Sequence, residues 1–492
     1  RGRELTRDLT QAEWLKAGVA DMLTSYQNAN VGFGLSRPYV YNIWPCGAGK
    51  TLGSLVTCLA KYQQQHMRGG ILIVCPGKAR ATGEREIKKR TLIKPFRARP
   101  DSQRRKSDQT LSQYLDEKHS VPIYIYGSES LPLYLDLIQR LNPAILIVDE
   151  LHQFGNMKRW EALYDAAGEV SFRARRAASG SRLALSAAGG AVSRMPSLKF
   201  VMGLSATPLD DGRPRRLWSQ LDMLSPGSFS YSYSRFAKRY CAARPGMYGG
   251  LEDKGSSNLR ELRQRCTFFT HEVSYSQSHG ELPPTRVEVE FLSRSEQRKP
   301  GRWSEEETYK QAQKRLSKLV GKGSIPKHSV IEARLAEACS RKRKFVVEEA
   351  IDGLRGNGKV LIFATRHREV EELAKGLRRA LSSGESPIDA PVLMAHGGVS
   401  SRERDDMVEH YRDSAGPVVM VATGDTMGTS VDGFQTTTLA LLAMLPWKPG
   451  DFTQWRGRFD RLGGTATLLK VVVAEGTFDE RVVEILTDKL GP

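Results

Sequence analysis

The chain lacks the features of a secreted or membrane protein. Its 492 residues include only six cysteines, with no CxxC pair and no histidine at ligand spacing from them, which disfavours a disulfide framework or a zinc site. No apolar run reaches the ~18 residues needed to cross a bilayer. The first ten residues have no apolar signal-peptide core, and the missing initiator methionine suggests processing or a fragment. We therefore expect an intracellular protein without a membrane partner. The cysteines are Cys46, Cys58, Cys75, Cys241, Cys266 and Cys339.

Acidic residues are too few to balance the basic ones. The chain has 74 Lys and Arg against 55 Asp and Glu, a formal net charge of +19 and a pI of about 9.6. This balance favours a polyanionic partner, most simply nucleic acid, because each neutralised phosphate releases a counterion. A basic surface that serves only solubility is the alternative. The length exceeds what one core supports, so two or three domains are expected.

Short apolar strands alternate with helical stretches in two regions of the chain. The first contains "YVYNIW", "GGILIVCP", "AILIVDE" and "LKFVMGLSATP", and the second contains "KVLIFATR", "PVVMVATG" and "TATLLKVVVAEG". This alternation is typical of parallel sheets flanked by helices. The sequence therefore predicts an α/β fold of two lobes with mainly helical material between them.

Composition suggests boundaries for these parts. We expect a first lobe over 1–225, a helical protrusion and linker over 226–345, and a second lobe over 346–492. The stretch at about 165–197 is rich in Ala, Ser, Gly and Arg and reads as an insertion. Residues 12–26 read as a helix that leads into the first strand.

A phosphate-binding signature follows the first strand. Residues Gly47-Ala48-Gly49-Lys50-Thr51 stand between that strand and a helical stretch, the context that a phosphate loop requires. Lys50 would reach the β- and γ-phosphates of ATP, and Thr51 would hold Mg²⁺. A glycine-rich turn with an incidental lysine is the alternative. Trp44, a large side chain just before the loop, is expected to pack beneath it.

Two adjacent acids end another buried strand in "AILIVDELH". Asp149 can hold Mg²⁺, and Glu150 can orient or deprotonate the attacking water. A helix cap or a solvated turn is the alternative for such a pair. His152 is interpreted as coupling this site to neighbouring motifs, against the alternative of an ordinary polar residue at a helix start.

Six motifs follow one another along the chain: "GAGKT", "DELH", "GLSATP", "HGGVSSRER", "ATGDTMGTS" and "QWRGRFDRLG". In this order they resemble the motifs of the superfamily-two helicases. The second lobe, with "PWKPGDFTQWRGRFDRLG" before "VVVAEGTFDERVVEIL", is similar to the Swi/Snf type, and the "RYC" and "GSSN" segments are most similar to its annealing-helicase (HARP-like) branch. The chain is identified as a divergent member.

The resemblance implies two RecA-like lobes with ATP in the cleft between them. Gln454, Arg458 and Arg461 match the sixth motif, so the resemblance implies that Gln454 binds nucleotide and that the arginines stabilise transition-state charge. A surface charge pair is the alternative for these arginines. Ser205 and Thr207 would link the cleft to the nucleic-acid face, where a plain turn is the alternative.

The resemblance also implies a function. Family members move along double-stranded DNA, and one branch rewinds or remodels branched DNA. We therefore expect a monomeric ATP-dependent double-stranded DNA translocase in fork remodelling, repair or recombination. It would work with DNA in the cytoplasm, nucleoid or nucleus, or in a host cell if viral. A strand-separating DNA or RNA helicase and a nucleic-acid-binding protein with a degenerate ATPase are the alternatives.

A basic stretch, residues 78–106, lies where the family contacts a DNA strand. We interpret it as a tracking surface, and a solvated basic helix is the alternative. When the sequence is aligned with the family, Leu15 stands where family members commonly have the glutamine that recognises adenine. Gln11 lies one helical turn away. The candidate nucleic-acid residues are Lys78, Arg80, Lys88, Lys89 and Arg90.

Overall fold

The computed structural model describes most of the chain as two compact units, Arg1–Gly280 and Glu281–Pro492. Each unit contains its own parallel sheet and its own core. The described residues are 14–99, 104–154, 195–209, 213–230, 232–246, 251–280, 285–297, 327–356, 358–383, 388–424, 433–446, 449–459 and 465–490.

The described strands of the first unit form one parallel sheet in the order β3-β4-β2-β5-β6-β1-β9, and β7 and β8 form a separate antiparallel pair. Central strands such as "ILIV" in β5 are buried throughout, as expected for strands covered on both faces. The strands are β1 (Tyr39–Ile43), β2 (Ile71–Cys75), β3 (Phe96–Arg97), β4 (Ile123–Gly127), β5 (Ile145–Val148), β6 (Phe200–Ser205), β7 (Arg244–Pro245), β8 (Leu251–Glu252) and β9 (Thr270–Glu272).

Helices connect these strands in the manner of parallel α/β units. The helix α2 directly follows the loop after β1, so the helix begins at the predicted phosphate loop. The α-helices described in this unit are α1 (Ser25–Leu35), α2 (Lys50–Gln64), α3 (Arg80–Arg90), α4 (Arg104–Asp116), α5 (Leu135–Leu141), α6 (Leu217–Leu224), α7 (Tyr233–Tyr240), α8 (Leu259–Cys266) and α9 (Tyr275–His279).

The helix predicted over 12–26 is wrong. Residues 14–24 form turns and one isolated bridge, and α1 begins only at Ser25. Thr24 is the N-cap: its hydroxyl accepts the Gln27 N–H, and the Gln27 side chain accepts the Thr24 N–H. This reciprocal capping box starts the helix at Ser25, thirteen residues later than the apolar pattern suggested.

The described strands of the second unit also form one parallel sheet, in the order β10-β15-β14-β11-β13-β12. Its strands are β10 (Arg286–Leu292), β11 (Lys359–Ala364), β12 (Val392–Ala395), β13 (Val418–Thr423), β14 (Leu439–Leu442) and β15 (Leu468–Ala474). Its described helices are α10 (Lys327–Arg355), α11 (His367–Ser383), α12 (Ser401–Asp413), α13 (Pro449–Arg456) and α14 (Phe478–Leu490). The prediction of an α/β fold with two lobes of parallel strands is confirmed.

A buried ion pair lies in the core of the second unit. The Lys342 ammonium on α10 is 2.7 Å from an Asp479 carboxylate oxygen on α14, and the two side chains are 0% and 1% exposed. Lys342 also donates to the Val472 carbonyl, and Asp479 accepts the Ala474 N–H, so the pair joins two helices to β15. The pair satisfies two charges that would otherwise be costly to bury.

The region predicted as a helical protrusion, 226–345, contributes strands to both sheets. In the first unit β9 pairs with β1, and in the second β10 pairs with β15. The insertion at about 165–197 lies almost entirely outside the described residues. The predicted boundaries therefore remain a proposal beside the two compact units. Within the described ranges, none of the helices combines the length and apolar character that a membrane span requires.

Candidate active site

The loop between β1 and α2 has the backbone of a phosphate cradle. Gly47 and Gly49 have φ values of +81° and +69°, in the left-handed region that favours glycine. A Cβ on Gly49 would lie 2.5 Å from the side-chain nitrogen of Gln27, so a larger residue also lacks space there. Trp44 is fully buried and lies against the first turn of α2 at Gly53, which confirms the prediction that it packs beneath the loop.

The candidate phosphate ligands begin α2. The Lys50 ammonium donates to the carbonyls of Trp44 and Pro45 at 3.1 and 3.0 Å, so it lies over the loop. Thr51 is exposed on the same helical turn, and Ala48 is buried within the loop. The N-terminal N–H groups of a helix favour anions, which suits a phosphate at this position.

The two candidate acids follow β5, two strands away from β1 in the sheet. Because β5, β6 and β1 are parallel, the residues that follow β5 and β1 lie at the same edge of the sheet. Two strand spacings between them correspond to about 10 Å. Burial, and next the neighbouring Glu150, raise the pKa of Asp149 to about 6, while Lys50 opposes this increase. Glu150 has a φ of +52°, a strained conformation of the kind that clusters at functional sites.

The predicted coupling residues are in direct contact. The His152 Nδ1 lies 2.9 Å from the Ser205 Oγ and 3.3 Å from a Glu150 carboxylate oxygen. Ser205 ends β6, the strand between β5 and β1, and its hydroxyl accepts the Thr207 N–H at 3.1 Å. The structure therefore joins Glu150 to the "SAT" turn through one buried imidazole.

The sixth-motif residues lie in the second unit. Gln454 is on α13, Arg458 follows that helix, and both are buried. The Arg458 N–H donates to the Trp455 carbonyl, and the Trp455 ring stacks on Phe363 of β11 at 5.0 Å. This stacking holds the turn near the carboxyl end of β11. Arg461 lies outside the described residues.

The candidate nucleic-acid residues begin in the turn before α3 and continue along that helix. Lys88 pairs with Glu84 at 2.6 Å and Arg90 with Glu86 at 3.6 Å, whereas Lys89 is exposed. Arg80 donates to the Gly77 and Ala98 carbonyls, and the Lys78 side chain is not part of the described structure. Part of the basic charge is thus balanced within the helix. A cavity of about 440 Å³ between α3, β3 and α4 is also lined by Lys94, Arg97 and Arg99.

Sequence reasoning missed one residue that contacts the loop. The Gln27 amide donates to the Gly49 carbonyl at 3.2 Å and to that of Ala48 at 3.4 Å. Leu15 instead packs into the lobe core and forms a bridge with Thr91, while Gln11 is outside the described residues. The capping signature T-x-x-Q at Thr24 to Gln27 was the signal that could have identified a structured glutamine there.

Comparison with known proteins supports the assignment of both lobes. Residues 341–463 match the family model of the helicase conserved C-terminal domain. The chain is similar in structure to S. cerevisiae Dbp5 bound to RNA and ADP BeF3, with a TM-score of 0.53, 15% identity, and coverage of 98% of this chain and 93% of that one. This likeness shows the fold, that of two RecA-like lobes.

Two structures of a Sulfolobus solfataricus SWI2/SNF2 ATPase core also match at 15% identity. The complex with dsDNA has a TM-score of 0.42 and covers 94% of this chain and 90% of that one. The core domain alone has a TM-score of 0.39 and covers 97% and 90%. The chain therefore matches a helicase conserved C-terminal domain over residues 341–463 and has the fold of two RecA-like lobes.

Proposed function

We propose that the protein is an ATP-dependent double-stranded DNA translocase of the Swi/Snf type. The observation that carries this proposal is the arrangement of Lys50, Asp149 and Glu150 at one edge of the first sheet, with His152 in contact with both Glu150 and Ser205. The Swi/Snf-like motifs around Gln454 and the net charge of +19 support a DNA substrate.

The residues of the loop fit ATP and Mg²⁺. Positive-φ glycines shape a cradle, Lys50 supplies a cation over it, and the partly buried Asp149 lies at the same sheet edge. Thr51 and Asp149 would hold Mg²⁺, which when bound would neutralise phosphate charge. Gly47, Ala48 and Gly49 would present backbone N–H groups to the phosphates.

Glu150 is proposed as the group that orients water and accepts its proton. The imidazole of His152 is 3.3 Å from its carboxylate and 2.9 Å from Ser205, so a change at the "SAT" turn can reach the base through one side chain. Arg458 and Arg461 are proposed to stabilise the charge that develops on the transferred phosphate. Lys78, Arg80, Lys88, Lys89 and Arg90 are proposed DNA-backbone contacts.

Replacing Ser205 by alanine tests the proposed coupling. The change removes the partner of His152 and of the Thr207 N–H, so we expect the stimulation of ATP hydrolysis by duplex DNA to fall about fivefold. Ser228→Ala is a control, because that hydroxyl donates to the Ser225 carbonyl and not to the contacts between His152, Ser205 and Thr207. Equal stimulation in Ser205→Ala and wild type would exclude the coupling role.

A strand-separating helicase is the second candidate, favoured by the fold likeness to Dbp5 and by the "SAT" turn. ATP hydrolysis measured with duplex DNA, forked DNA, single-stranded DNA and RNA, together with strand separation, distinguishes the two. Stimulation by duplex DNA without unwinding supports the translocase. Stimulation only by single strands with unwinding supports the helicase, and no hydrolysis above a Glu150→Gln control indicates a degenerate ATPase.

A further inference from the structure

Trp44 makes a specific contact that packing beneath the loop does not explain by itself. Its indole N–H points to His271 of β9 and donates to the His271 Nδ1 at 3.0 Å and to the His271 carbonyl at 3.1 Å. The two rings lie 5.6 Å apart. A buried indole N–H needs a partner, and here the partner belongs to a strand more than 200 residues away along the chain.

The same indole supports the loop from below. Tyr26 packs edge-on against it at 5.3 Å, and the Tyr26 hydroxyl donates to the Ala48 carbonyl at 2.9 Å. Gln27 donates to the carbonyls of Ala48 and Gly49. Because the C=O and N–H of a trans peptide point in opposite directions, holding these carbonyls toward α1 turns the following N–H groups away from it, toward a phosphate.

His271 is suited to accept the indole N–H. It pairs opposite Asn42 in the register of β9 with β1, so it lies beside the strand that leads to the loop. Burial, and next the charge of Arg37, lower its pKa to about 4, so the ring is neutral at pH 7 and, in the tautomer that carries its proton on Nε2, Nδ1 accepts a hydrogen bond. After β9 the chain passes through α9 to Gly280, the last residue of the first unit.

We propose that Trp44 is a positioning residue of the phosphate loop, and that its hydrogen bond to His271 makes nucleotide binding depend on the placement of β9. The segment that begins with β9 and leads to the second unit is thereby hydrogen-bonded to Trp44, the residue beneath the phosphate loop. This inference rests on the proposed function for one point, that the ligand bound at the phosphate loop is ATP.

The test measures the Kd of the full chain for the fluorescent analogue mant-ATP, with melting temperatures recorded for each variant. Trp44→Phe keeps an aromatic ring against Gly53 but removes the N–H, and we expect the Kd to rise on the order of tenfold. His271→Leu removes the ring acceptor and leaves the backbone carbonyl, so the Kd should rise in the same direction but by less. His271→Asn keeps an acceptor near the Nδ1 position and should retain most of the affinity.

Trp218→Phe is the matched control. Trp218 is another buried tryptophan of the first unit, and its indole N–H donates to the Ser230 carbonyl at 3.0 Å in a separate cluster. This variant should lower the melting temperature without changing the Kd. The double variant Trp44→Phe/His271→Leu should bind no more weakly than the weaker single variant, because both remove the same bond.

The outcomes separate the inference from the proposed function. Wild-type affinity in Trp44→Phe or in His271→Leu overturns the inference, as does equal weakening in Trp218→Phe. An equal rise of the Kd for mant-ATP in His271→Asn and His271→Leu overturns the inference as well. If Trp44→Phe does not fold, this comparison of the two His271 variants is the test. A wild-type protein that fails to bind mant-ATP overturns the proposed function and the inference together.

Discussion

Replacing Glu150 by glutamine is expected to lower the turnover of ATP by about 10²–10⁴-fold. Glutamine has nearly the same shape and can keep the buried position next to His152, but it cannot accept a proton from water. The loop, Lys50 and Asp149 are unchanged, so the affinity for ATP should stay near that of the wild type. Steady-state hydrolysis with duplex DNA, together with mant-ATP binding, measures both quantities.

Glu117→Gln is the control for this change. Its carboxylate belongs to the same unit but is half exposed and pairs with Lys94 at 3.1 Å, far along the sheet order from the loop. Its turnover should equal that of the wild type. A Glu150→Gln protein that hydrolyses ATP at a rate close to the wild type would show that another group activates the water.

Replacing Lys342 by methionine is expected to destabilise the second unit by about 3–5 kcal/mol. Methionine fills much of the same space, but it leaves the Asp479 carboxylate buried without its cation. In a unit of about this size, a loss of 1 kcal/mol in the free energy of unfolding lowers the melting temperature by about 2–4 °C. The melting transition of the second unit should therefore shift downward by roughly 6–20 °C. Scanning calorimetry of the full chain measures the shift, since one transition should move and the other should not.

Two further variants make this stability test specific. Lys344→Met alters the same helix at an exposed pair with Glu348, 3.7 Å apart, and should change stability by less than about 0.5 kcal/mol. Lys342→Met combined with Asp479→Leu removes both charges and should recover most of the loss. If Lys342→Met melts like the wild type, the pair contributes no net stabilisation and the assigned cost is wrong.

Much of the first lobe was predictable because its signals are local. The apolar runs of β2 and β5 stand where the sequence predicts strands, and the predicted phosphate loop occupies the turn before α2. Parallel strands of one sheet end at the same edge, so the pattern also brings Asp149 toward the loop. The motif order then implied the second lobe, whose helicase C-terminal domain matches residues 341–463.

The wrong prediction of the first helix came from a place where two local signals, the apolar spacing and the capping residues, indicate different starts. The helix predicted over 12–26 begins at Ser25, since the capping box of Thr24 and Gln27 determines the start more strongly than apolar spacing does. The strands β9 and β10 within 226–345, a region whose predicted boundaries remain a proposal, were not predicted because they are short or half-exposed edge strands. Edge strands depend on a neighbour for their hydrogen bonds, and that neighbour is remote in sequence.

By itself the sequence determined the phosphate loop, the two acids, the alternation of strands and helices, and the excess of positive charge, because each depends on residues adjacent in the chain. Only the tertiary structure decided that Gln27 holds the loop, that Trp44 bonds to His271, and that Lys342 is buried with Asp479. These pairs have no local pattern. Their energies arise from burial and from hydrogen-bond geometry, which exist only once the chain has folded.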